Sequence, residues 1–231
     1  MQKQTILITG ASRGLGLALA RRWAADNTVL NLARSPAPAD AGPMHSFACD
    51  LADADQTQAV LKQLLAAHPR IDLLVNNAAV LTSLPLGVMA PQDITRMIDV
   101  NLKAPILVSK AVFRKMLQAR AGQIINILSM APKLCVVGDS VYAATKAGLE
   151  AFSRVLNKEG HPFGVHVNNI GLSAFPSGML DKVLGTQADK VLGLIPHRAY
   201  APLDDVAAAI EFFAAHPRDI GGQTLYFGGI A

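Results

Sequence analysis

The stretch "QTILITGASRGLG", residues 4–16, joins a short apolar run to a glycine-rich turn. The run predicts a buried parallel strand, and the good helix formers that follow predict a helix over 15–25. Glycine permits a tight turn and lets a pyrophosphate approach the backbone, while the helix N-terminus offers free N–H groups to the phosphates. The spacing Gly10-x3-Gly14-x-Gly16 therefore favours a dinucleotide-binding turn, with a strand-to-helix turn that binds no ligand as the alternative.

The rest of the chain alternates strand and helix patterns in the same way. We expect strands at 28–34, 44–50, 71–79, 122–129, 164–171 and 223–229, and helices at 53–67, 91–100, 103–119, 140–158 and 203–214. Such alternation predicts the α/β class, as a Rossmann-like doubly wound parallel β-sheet with helices on both faces. Residues 1–231 contain no linker or repeat, so we expect one dinucleotide-binding domain. Ligands of such sheets bind at the carboxyl ends of the strands.

Composition argues against several classes of protein. Hydrophobic residues make up 51% of the chain and charged residues 16%, which is too apolar for a disordered protein. The net charge of +4 comes from scattered bases, so nucleic acid is not expected as a partner. We expect neither a membrane span nor a signal peptide, and hence a cytoplasmic protein. Cys49 and Cys135 are expected to be buried free thiols, and the scattered histidines predict no metal site.

Cofactor selection is expected at the end of the second strand, where an acidic side chain would bind the ribose 2′-hydroxyl of NAD(H). The sequence there has Ala33 followed by Arg34, and Arg13 in the glycine turn is a second guanidinium. Because guanidinium groups match phosphate oxygens, the two arginines favour the 2′-phosphate of NADP(H). The alternative is that Arg34 is a solvated surface residue. Asp50, at the end of the third strand, is a candidate for binding the adenine.

The stretch "SVYAATKAG", residues 140–148, places Tyr142 and Lys146 one helical turn apart. Their Cβ atoms would be about 5–6 Å apart. A free phenol has a pKa of about 10 and is a poor base at neutral pH. An ammonium group about 4–5 Å away would lower that pKa by about two to three units. The pair is therefore a candidate proton donor and acceptor, although a Tyr/Lys pair taken alone is more often a surface contact.

Five motifs, in order, resemble those of the classical short-chain dehydrogenase/reductase family. They are the glycine pattern at 10–16, "NNAA" at 76–79, Asn101, Ser129 and Tyr142-x3-Lys146. The resemblance extends from residue 5 to about 171 and resumes near the C-terminus. It implies an oxidoreductase in which Tyr142 exchanges a proton with the substrate and Ser129 binds the substrate oxygen. Asn101 would help to hold a water that links Lys146 to solvent.

The resemblance also implies which residues contact the cofactor: Gly10, Ser12, Arg13, Gly14, Leu15, Gly16, Arg34, Asp50, Leu51, Asn77, Ala78, Ala79, Tyr142, Lys146 and Gly171. Two features depart from the family pattern. Ala79 stands where glycine is common, and Ile170–Gly171 stands where Pro-Gly is usual, so that Gly171 alone would keep the turn. The threonine that the family places near the nicotinamide is also absent, and Ser173 and Ser177 are the candidate substitutes.

Residues 172–200 correspond to the substrate lid of the family. Its apolar residues indicate an apolar substrate or, equally well, a lid that packs onto the body, and "KLCVV", residues 133–137, is a candidate pocket wall. The expected function is NADPH-dependent hydride transfer to a small or medium apolar ketone or aldehyde. Reduction of a β-ketoacyl thioester and non-catalytic NADP(H) sensing are the alternatives. The resemblance further implies a homodimer or homotetramer.

Overall fold

The computed structural model describes residues 1, 3–173, 192–193, 195–215 and 220–229. Within these ranges one parallel sheet contains strands β1 (Thr5–Thr9), β2 (Thr28–Ala33), β3 (Met44–Ala48), β4 (Leu73–Asn76), β5 (Gly122–Ser129), β6 (Val165–Leu172) and β7 (Thr224–Tyr226). Their order across the sheet is β3-β2-β1-β4-β5-β6-β7. The direction of winding reverses between β1 and β4, and such a switch point is where parallel sheets bind their ligands.

Helices cover both faces of the sheet. They are α1 (Gly14–Trp23), α2 (Ala54–Ala67), α3 (Pro91–Ile98), α4 (Ala104–Ala119), α5 (Ala131–Leu134), α6 (Ser140–Gly160) and α7 (Leu203–Ala215). Helices α1 and α7 pack around Ile6 and Ile8 of β1, whereas α2, α4 and α6 pack on the face that carries Leu7. Strands with two buried faces need continuous apolar runs, which is why the sequence pattern located them. The predicted doubly wound α/β fold is confirmed.

One helix start follows directly from its side-chain chemistry. Asp53 Oδ1 accepts hydrogen bonds from the backbone N–H groups of Asp55 (3.0 Å) and Gln56 (2.9 Å). These bonds satisfy two of the amides that have no acceptor within the helix, and the carboxylate lies at the positive end of the helix dipole. The predicted start of the second helix at Asp53 is therefore confirmed.

The connection between α3 and α4 differs from the prediction of two separate helices. A single π-helical turn, Asp99–Lys103, joins them without a break. Such turns insert one extra residue into a helix and occur frequently at functional sites. Here the turn carries Asn101, whose side chain is fully buried. The sequence gives no local signal for this turn, because its residues are compatible with an ordinary helix.

A row of buried polar side chains crosses the sheet from β4 to β7. Asn76, Asn126, Asn169 and Thr224 occupy paired register positions on neighbouring strands. Asn76 Nδ2 donates to Asn126 Oδ1 (2.8 Å), and Asn169 Nδ2 donates to the hydroxyl of Thr224 (3.1 Å). Between them Asn126 Nδ2 donates to Ser153 of α6 at 2.8 Å and lies 3.4 Å from Asn169 Oδ1. Buried amides need such partners, so the row fixes the strand register and the position of α6.

Other sequence-based expectations have mixed outcomes. Both cysteines are free, but only Cys49 is buried; Cys135 follows the short helix α5 and is exposed. The expectation of two buried thiols is therefore wrong for Cys135. In the described ranges no group of three or more His, Cys, Asp or Glu side chains is arranged to hold a metal ion. None of the helices described there combines the length and apolar character that a bilayer crossing requires.

Gly16 allows α1 to pack closely against the end of β4. A Cβ at this position would lie 2.5 Å from Asn77 Nδ2 and 2.6 Å from the carbonyl oxygen of Gly10. We expect Gly16→Ala to lower the free energy of unfolding by about 2 kcal/mol, because this overlap outweighs a helix-propensity gain of at most about 1 kcal/mol. Urea unfolding measures the change.

The matched control is Gly87→Ala, since no atom lies within 4 Å of a Cβ built at Gly87. This control should change the free energy of unfolding by less than about 0.5 kcal/mol. If the two variants unfolded at the same urea concentration, the close packing at Gly16 would not be what constrains the turn.

Candidate active site

The turn between β1 and α1 presents free backbone N–H groups at the switch point. Gly10 has a φ of +73°, and a Cβ there would lie 3.1 Å from the backbone of Ala78. The N-cap residue of α1 is Arg13, which makes no side-chain capping bond, and the first turn of α1 has no acidic residue. First-turn amides lack acceptors within the helix and lie at the positive end of its dipole. This end of α1 is therefore suited to bind a phosphate.

The end of β4 fixes the shape of that turn. Thr9 Oγ1 accepts hydrogen bonds from the backbone N–H groups of Asn77 and Ala78, both at 3.0 Å. Asn77 Nδ2 in return donates to the carbonyl oxygens of Thr9 (2.9 Å) and Gly10 (3.3 Å). Asn77 thus holds the glycine turn in position. Gly16 packs against the same amide and is not among the residues that line the cleft, so its cofactor contact stays a prediction.

A cleft of about 440 Å³ extends from the glycine turn along the carboxyl ends of the strands to α6. It brings together most residues predicted to bind the cofactor or the substrate: Gly10, Ser12, Arg13, Gly14, Leu15, Arg34, Asp50, Leu51, Asn77, Ala78, Ala79, Ser129, Tyr142 and Lys146. Leu134 and Val136 of the predicted "KLCVV" wall also line it, whereas Val137 is 88% exposed. The predicted lid lies largely outside the described residues, as does Ser177.

Three arginines line the cleft, and one of them, Arg96, lies 3.7 Å from the carboxylate of Asp50. Arg13 and Arg34 are both exposed, and neither forms an ion pair with any residue that the structure describes. Asp50 lies nearby, where its Oδ1 accepts a hydrogen bond from the backbone N–H of Ala52 at 3.1 Å. Both guanidinium groups are accordingly available to bind an anion in the cleft.

Three side chains with predicted catalytic roles meet at the other end of the cleft. Ser129 ends β5, and its Oγ accepts a hydrogen bond from the backbone N–H of Ala131 (3.0 Å). Its hydroxyl is close enough to Tyr142 to lower the pKa of the phenol. Lys146 is only 3% exposed. Its Nζ donates to the carbonyl oxygen of Ile127 (2.8 Å) and lies 5.8 Å from the centre of the Tyr142 ring. A serine, a phenol and an ammonium group therefore share one wall.

Asn101 lies behind this wall and does not line the cleft. Its Oδ1 accepts a hydrogen bond from the backbone N–H of Val80, and its Nδ2 donates to the Val80 carbonyl oxygen, both at 2.8 Å. Nδ2 also lies 3.4 Å from the hydroxyl of Thr145 on α6. The side-chain amide is thus used to hold the segment after β4 against α6. The water-binding role of Asn101 stays a prediction.

The prediction of a turn at Gly171 is wrong, and Gly171 is not among the residues that line the cleft. Gly171 lies inside β6, and a Cβ there would overlap the ring of Tyr226 on the neighbouring strand. The strand continues to Leu172, and it is Leu172 and Ser173 that line the cleft. Ser173 Oγ is buried without a hydrogen-bond partner among the described residues, so it keeps its candidate role near a bound nicotinamide.

Comparison with known proteins identifies the family. A family profile described as short chain dehydrogenase matches residues 4–188, most of the chain. The chain belongs to the short-chain dehydrogenase/reductase family. Members of this family are oxidoreductases that use a nicotinamide cofactor, and the five motifs found in the sequence are thereby accounted for.

Similar proteins include enzymes with different substrates. The chain is 35% identical to a 3-oxoacyl-[acyl-carrier-protein] reductase of Synechocystis sp., over 98% of this chain and 96% of that protein. It is 34% identical to a D-threitol dehydrogenase of Mycolicibacterium smegmatis, over 90% and 85%. A crystal structure of NAD+-bound xylitol dehydrogenase has a TM-score of 0.87 at 21% identity and 99% coverage of both chains, a likeness of fold alone.

Burial is the main cause of the pKa shifts of Tyr142 and Lys146 in this short-chain dehydrogenase/reductase. Burial is the main reason why the pKa of Tyr142 is raised to about 12. The Asp139 carboxylate also raises this pKa, whereas the Ser129 hydroxyl lowers it. Burial lowers the pKa of Lys146 to about 8. The prediction that Lys146 lowers the Tyr142 pKa is therefore wrong for the protein by itself. Removal of the phenol from water is the largest cause of this rise in pKa.

The cleft of this dehydrogenase/reductase also contains polar residues that the sequence motifs do not single out. Ser35 follows Arg34, and Ser83 and Asp139 lie near Tyr142. Asp139 precedes Tyr142 by three residues, a spacing that places both on one face of a helix and so gives a usable signal. No such signal exists for Ser83, because it is brought to the site by the loop after β4.

Replacing the buried ammonium group should stabilise the protein. The pKa of Lys146 in the folded state, about 8, is below its ordinary value of 10.5, so the folded state binds the proton less tightly than the unfolded state does. At pH values below about 8 the charged Lys146 therefore lowers the free energy of unfolding. This cost disappears as the pH rises towards 10.5. We expect Lys146→Met to raise the free energy of unfolding near neutral pH by about 2 kcal/mol, after about 1 kcal/mol is subtracted for the lost hydrogen bond to Ile127.

Urea unfolding slightly below neutral pH and at about pH 10 measures this difference, which should be largest at the lower pH. Lys158→Met is the control, because Lys158 is exposed near the end of the same helix. A Lys146→Met protein that is less stable than wild type at both pH values would show that the ammonium group is not a net cost.

Proposed function

We propose that this chain is an NADP(H)-dependent oxidoreductase that interconverts a carbonyl group and an alcohol on a small molecule. The observation that supports this most is the convergence of Ser129, Tyr142 and Lys146 in the cleft that begins at the glycine turn. One end of the cleft is suited to phosphate groups and the other to a proton-transfer step. Between these two ends the cleft runs along the carboxyl ends of adjacent strands, which is where a parallel sheet of this kind binds a dinucleotide.

NADP(H), when bound, supplies or accepts the hydride. The glycine turn and the N-terminus of α1 would hold its pyrophosphate, and Arg13 and Arg34 would hold the 2′-phosphate. The end of β2 favours this assignment, because Ala33 provides no carboxylate to bind a free ribose hydroxyl or to repel a phosphate. Ser173, with its unpartnered hydroxyl, would bind the carboxamide.

The side chains of the cleft wall would carry the proton during carbonyl reduction. Tyr142 donates the proton of its hydroxyl to the substrate oxygen as negative charge develops there, and the Ser129 hydroxyl stabilises that charge. The Lys146 ammonium stabilises the phenolate that is left. Because the pKa of Lys146 is about 8, this group is charged near neutral pH yet gives up a proton readily enough to restore the phenol. Alcohol oxidation uses the same groups in reverse.

A second candidate function is reduction of a β-ketoacyl thioester. It is favoured by the similarity to a reductase of acyl-carrier-protein thioesters, and by exposed apolar residues next to the substrate end: Leu84, Leu86, Val88 and Val137. Oxidation of NADPH across simple ketones, hydroxylated ketones and acetoacetyl thioesters separates the candidates. Tight NADPH binding without turnover of any carbonyl would instead favour the non-catalytic sensor.

The hydroxyl of Tyr142 should be required for turnover. Because it is the proton donor in the proposed reaction, we expect Tyr142→Phe to lower the turnover rate at least about 100-fold while NADPH binding is nearly unchanged. Steady-state NADPH oxidation and nucleotide fluorescence titration measure the two effects. Tyr226→Phe makes the same chemical change on β7, at a tyrosine whose hydroxyl donates to Glu150 of α6, and should keep normal turnover. Near-wild-type turnover by Tyr142→Phe would refute the assignment.

Arg34 should discriminate between the two nicotinamide cofactors. If its guanidinium binds the 2′-phosphate, Arg34→Ala should weaken NADPH binding about tenfold or more and leave NADH binding almost unchanged. Fluorescence titration with both nucleotides gives the ratio of dissociation constants. Arg21→Ala is the control, since Arg21 is exposed and paired with Asp40 away from the cleft. An unchanged NADPH-to-NADH ratio in Arg34→Ala would contradict the assignment.

A further inference from the structure

The substrate end of the cleft contains two polar side chains that the proposed reaction does not use. The wall there is otherwise apolar and is formed by Val80, Leu81, Ala131, Leu134, Val136 and Leu172. Ser83, from the loop after β4, and Asp139, from the residue that precedes α6, interrupt this apolar surface. A few polar groups in an apolar pocket are what fixes the orientation of a bound ligand.

Helix capping does not explain Asp139. It occupies the N-cap position of α6, where an aspartate commonly accepts hydrogen bonds from the first-turn amides, yet its side chain makes none. The residue is 8% exposed, and Oδ1 has no hydrogen-bond partner among the described residues. Burial raises the pKa of this carboxyl group, and the nearby Ser83 hydroxyl acts in the opposite direction. A buried carboxylate with so few donors is costly for folding, which points to a role in the cleft.

The backbone holds Ser83 beside this carboxylate. The N–H of Leu84 donates to the carbonyl oxygen of Gly138 at 3.1 Å, which joins the loop after β4 to the segment before α6. Gly138 has a φ of +96°, and a Cβ there would lie 3.1 Å from Ser83 Oγ. A residue without a side chain thus leaves room for the serine. With its proton directed to Asp139, the serine oxygen is left to accept a hydrogen bond in the cleft.

We infer that Ser83 and Asp139 form a second polar subsite, which binds a hydroxyl group of the substrate next to the carbonyl that Ser129 and Tyr142 hold. The inference rests on the proposed function and names its substrate class, a hydroxylated ketone or aldehyde that is reduced to a diol or polyol. The substrate hydroxyl donates to Ser83 Oγ, and Ser83 donates to the Asp139 carboxylate. A hydroxyl that donates to a carboxylate is a stronger acceptor, so the two bonds reinforce each other.

This subsite changes the expectation of an apolar substrate. That expectation came from the apolar residues of 172–200, most of which lie outside the described residues. The described part of the substrate end has apolar walls that are interrupted by the carboxyl group of Asp139 and the hydroxyl group of Ser83. It is suited to a short chain that carries both a carbonyl and a hydroxyl group.

Hydroxyacetone and methoxyacetone provide the test, because both have an electron-withdrawing oxygen next to the carbonyl but only the first can donate a hydrogen bond. We expect the wild-type protein with NADPH to have a kcat/KM about tenfold or more higher for hydroxyacetone. Ser83→Ala and Asp139→Leu should each bring this ratio to about one. Since both substrates are measured on the same preparation, the ratio does not depend on how much of a variant is folded.

Thr82→Val is the matched control: Thr82 is the neighbour of Ser83, its hydroxyl faces Asp93, and it does not line the cleft. It should keep the wild-type ratio. Equal kcat/KM values for the two ketones in the wild-type protein, or an unchanged preference in Ser83→Ala and Asp139→Leu, would overturn the inference while leaving the proposed function intact. A failure to reduce any carbonyl despite NADPH binding would overturn the proposed function, and this inference with it.

Discussion

A buried ammonium group imposes the main constraint on this site. Lys146 is almost completely removed from water, and the hydrogen bond that the structure gives its Nζ goes to the carbonyl oxygen of Ile127. A charge in such a position opposes folding, so its retention beside a phenol has to be explained by function. The proposed chemistry provides the explanation, because the same group stabilises a phenolate during proton transfer.

The topology of the sheet brings the two halves of the cleft together. The winding reverses between β1 and β4, so the glycine turn and the end of β5 lie at one edge of the sheet. Asn77 holds the turn from β4, and Asn101 holds the following segment against α6 through Val80. These two asparagines act as positioning residues, and the row of polar side chains from Asn76 to Thr224 fixes the strands beneath them. Much of the polar chemistry of the core thus supports the geometry of the cleft.

The sequence predicted the parts of the structure that depend on short-range patterns. Apolar runs located the strands, the capping carboxylate of Asp53 located a helix start, and the spacing of Ser129, Tyr142 and Lys146 identified side chains that do line one cleft. The failures concern properties set by distant neighbours. The end of β6 is set by pairing with β5, which continues the strand through Leu172 and so past Gly171. The protonation of Tyr142 depends on burial, and Ser83 reaches the cleft through a loop that carries no motif.

The protein's own groups leave Tyr142 with a pKa of about 12, so the account requires a positive charge in the cleft to make the phenol usable as a base. NADP+ would provide that charge on its nicotinamide ring. Tyr142 is one of three tyrosines, so its ionisation can be isolated by comparing the wild-type protein with Tyr142→Phe. The most direct measurement is the ultraviolet difference spectrum at about pH 9, below the ordinary tyrosine pKa, with and without NADP+. The account predicts that NADP+ induces the phenolate band of about one tyrosine in the wild-type protein and none in Tyr142→Phe. A wild-type spectrum in which saturating NADP+ produces no phenolate would contradict it.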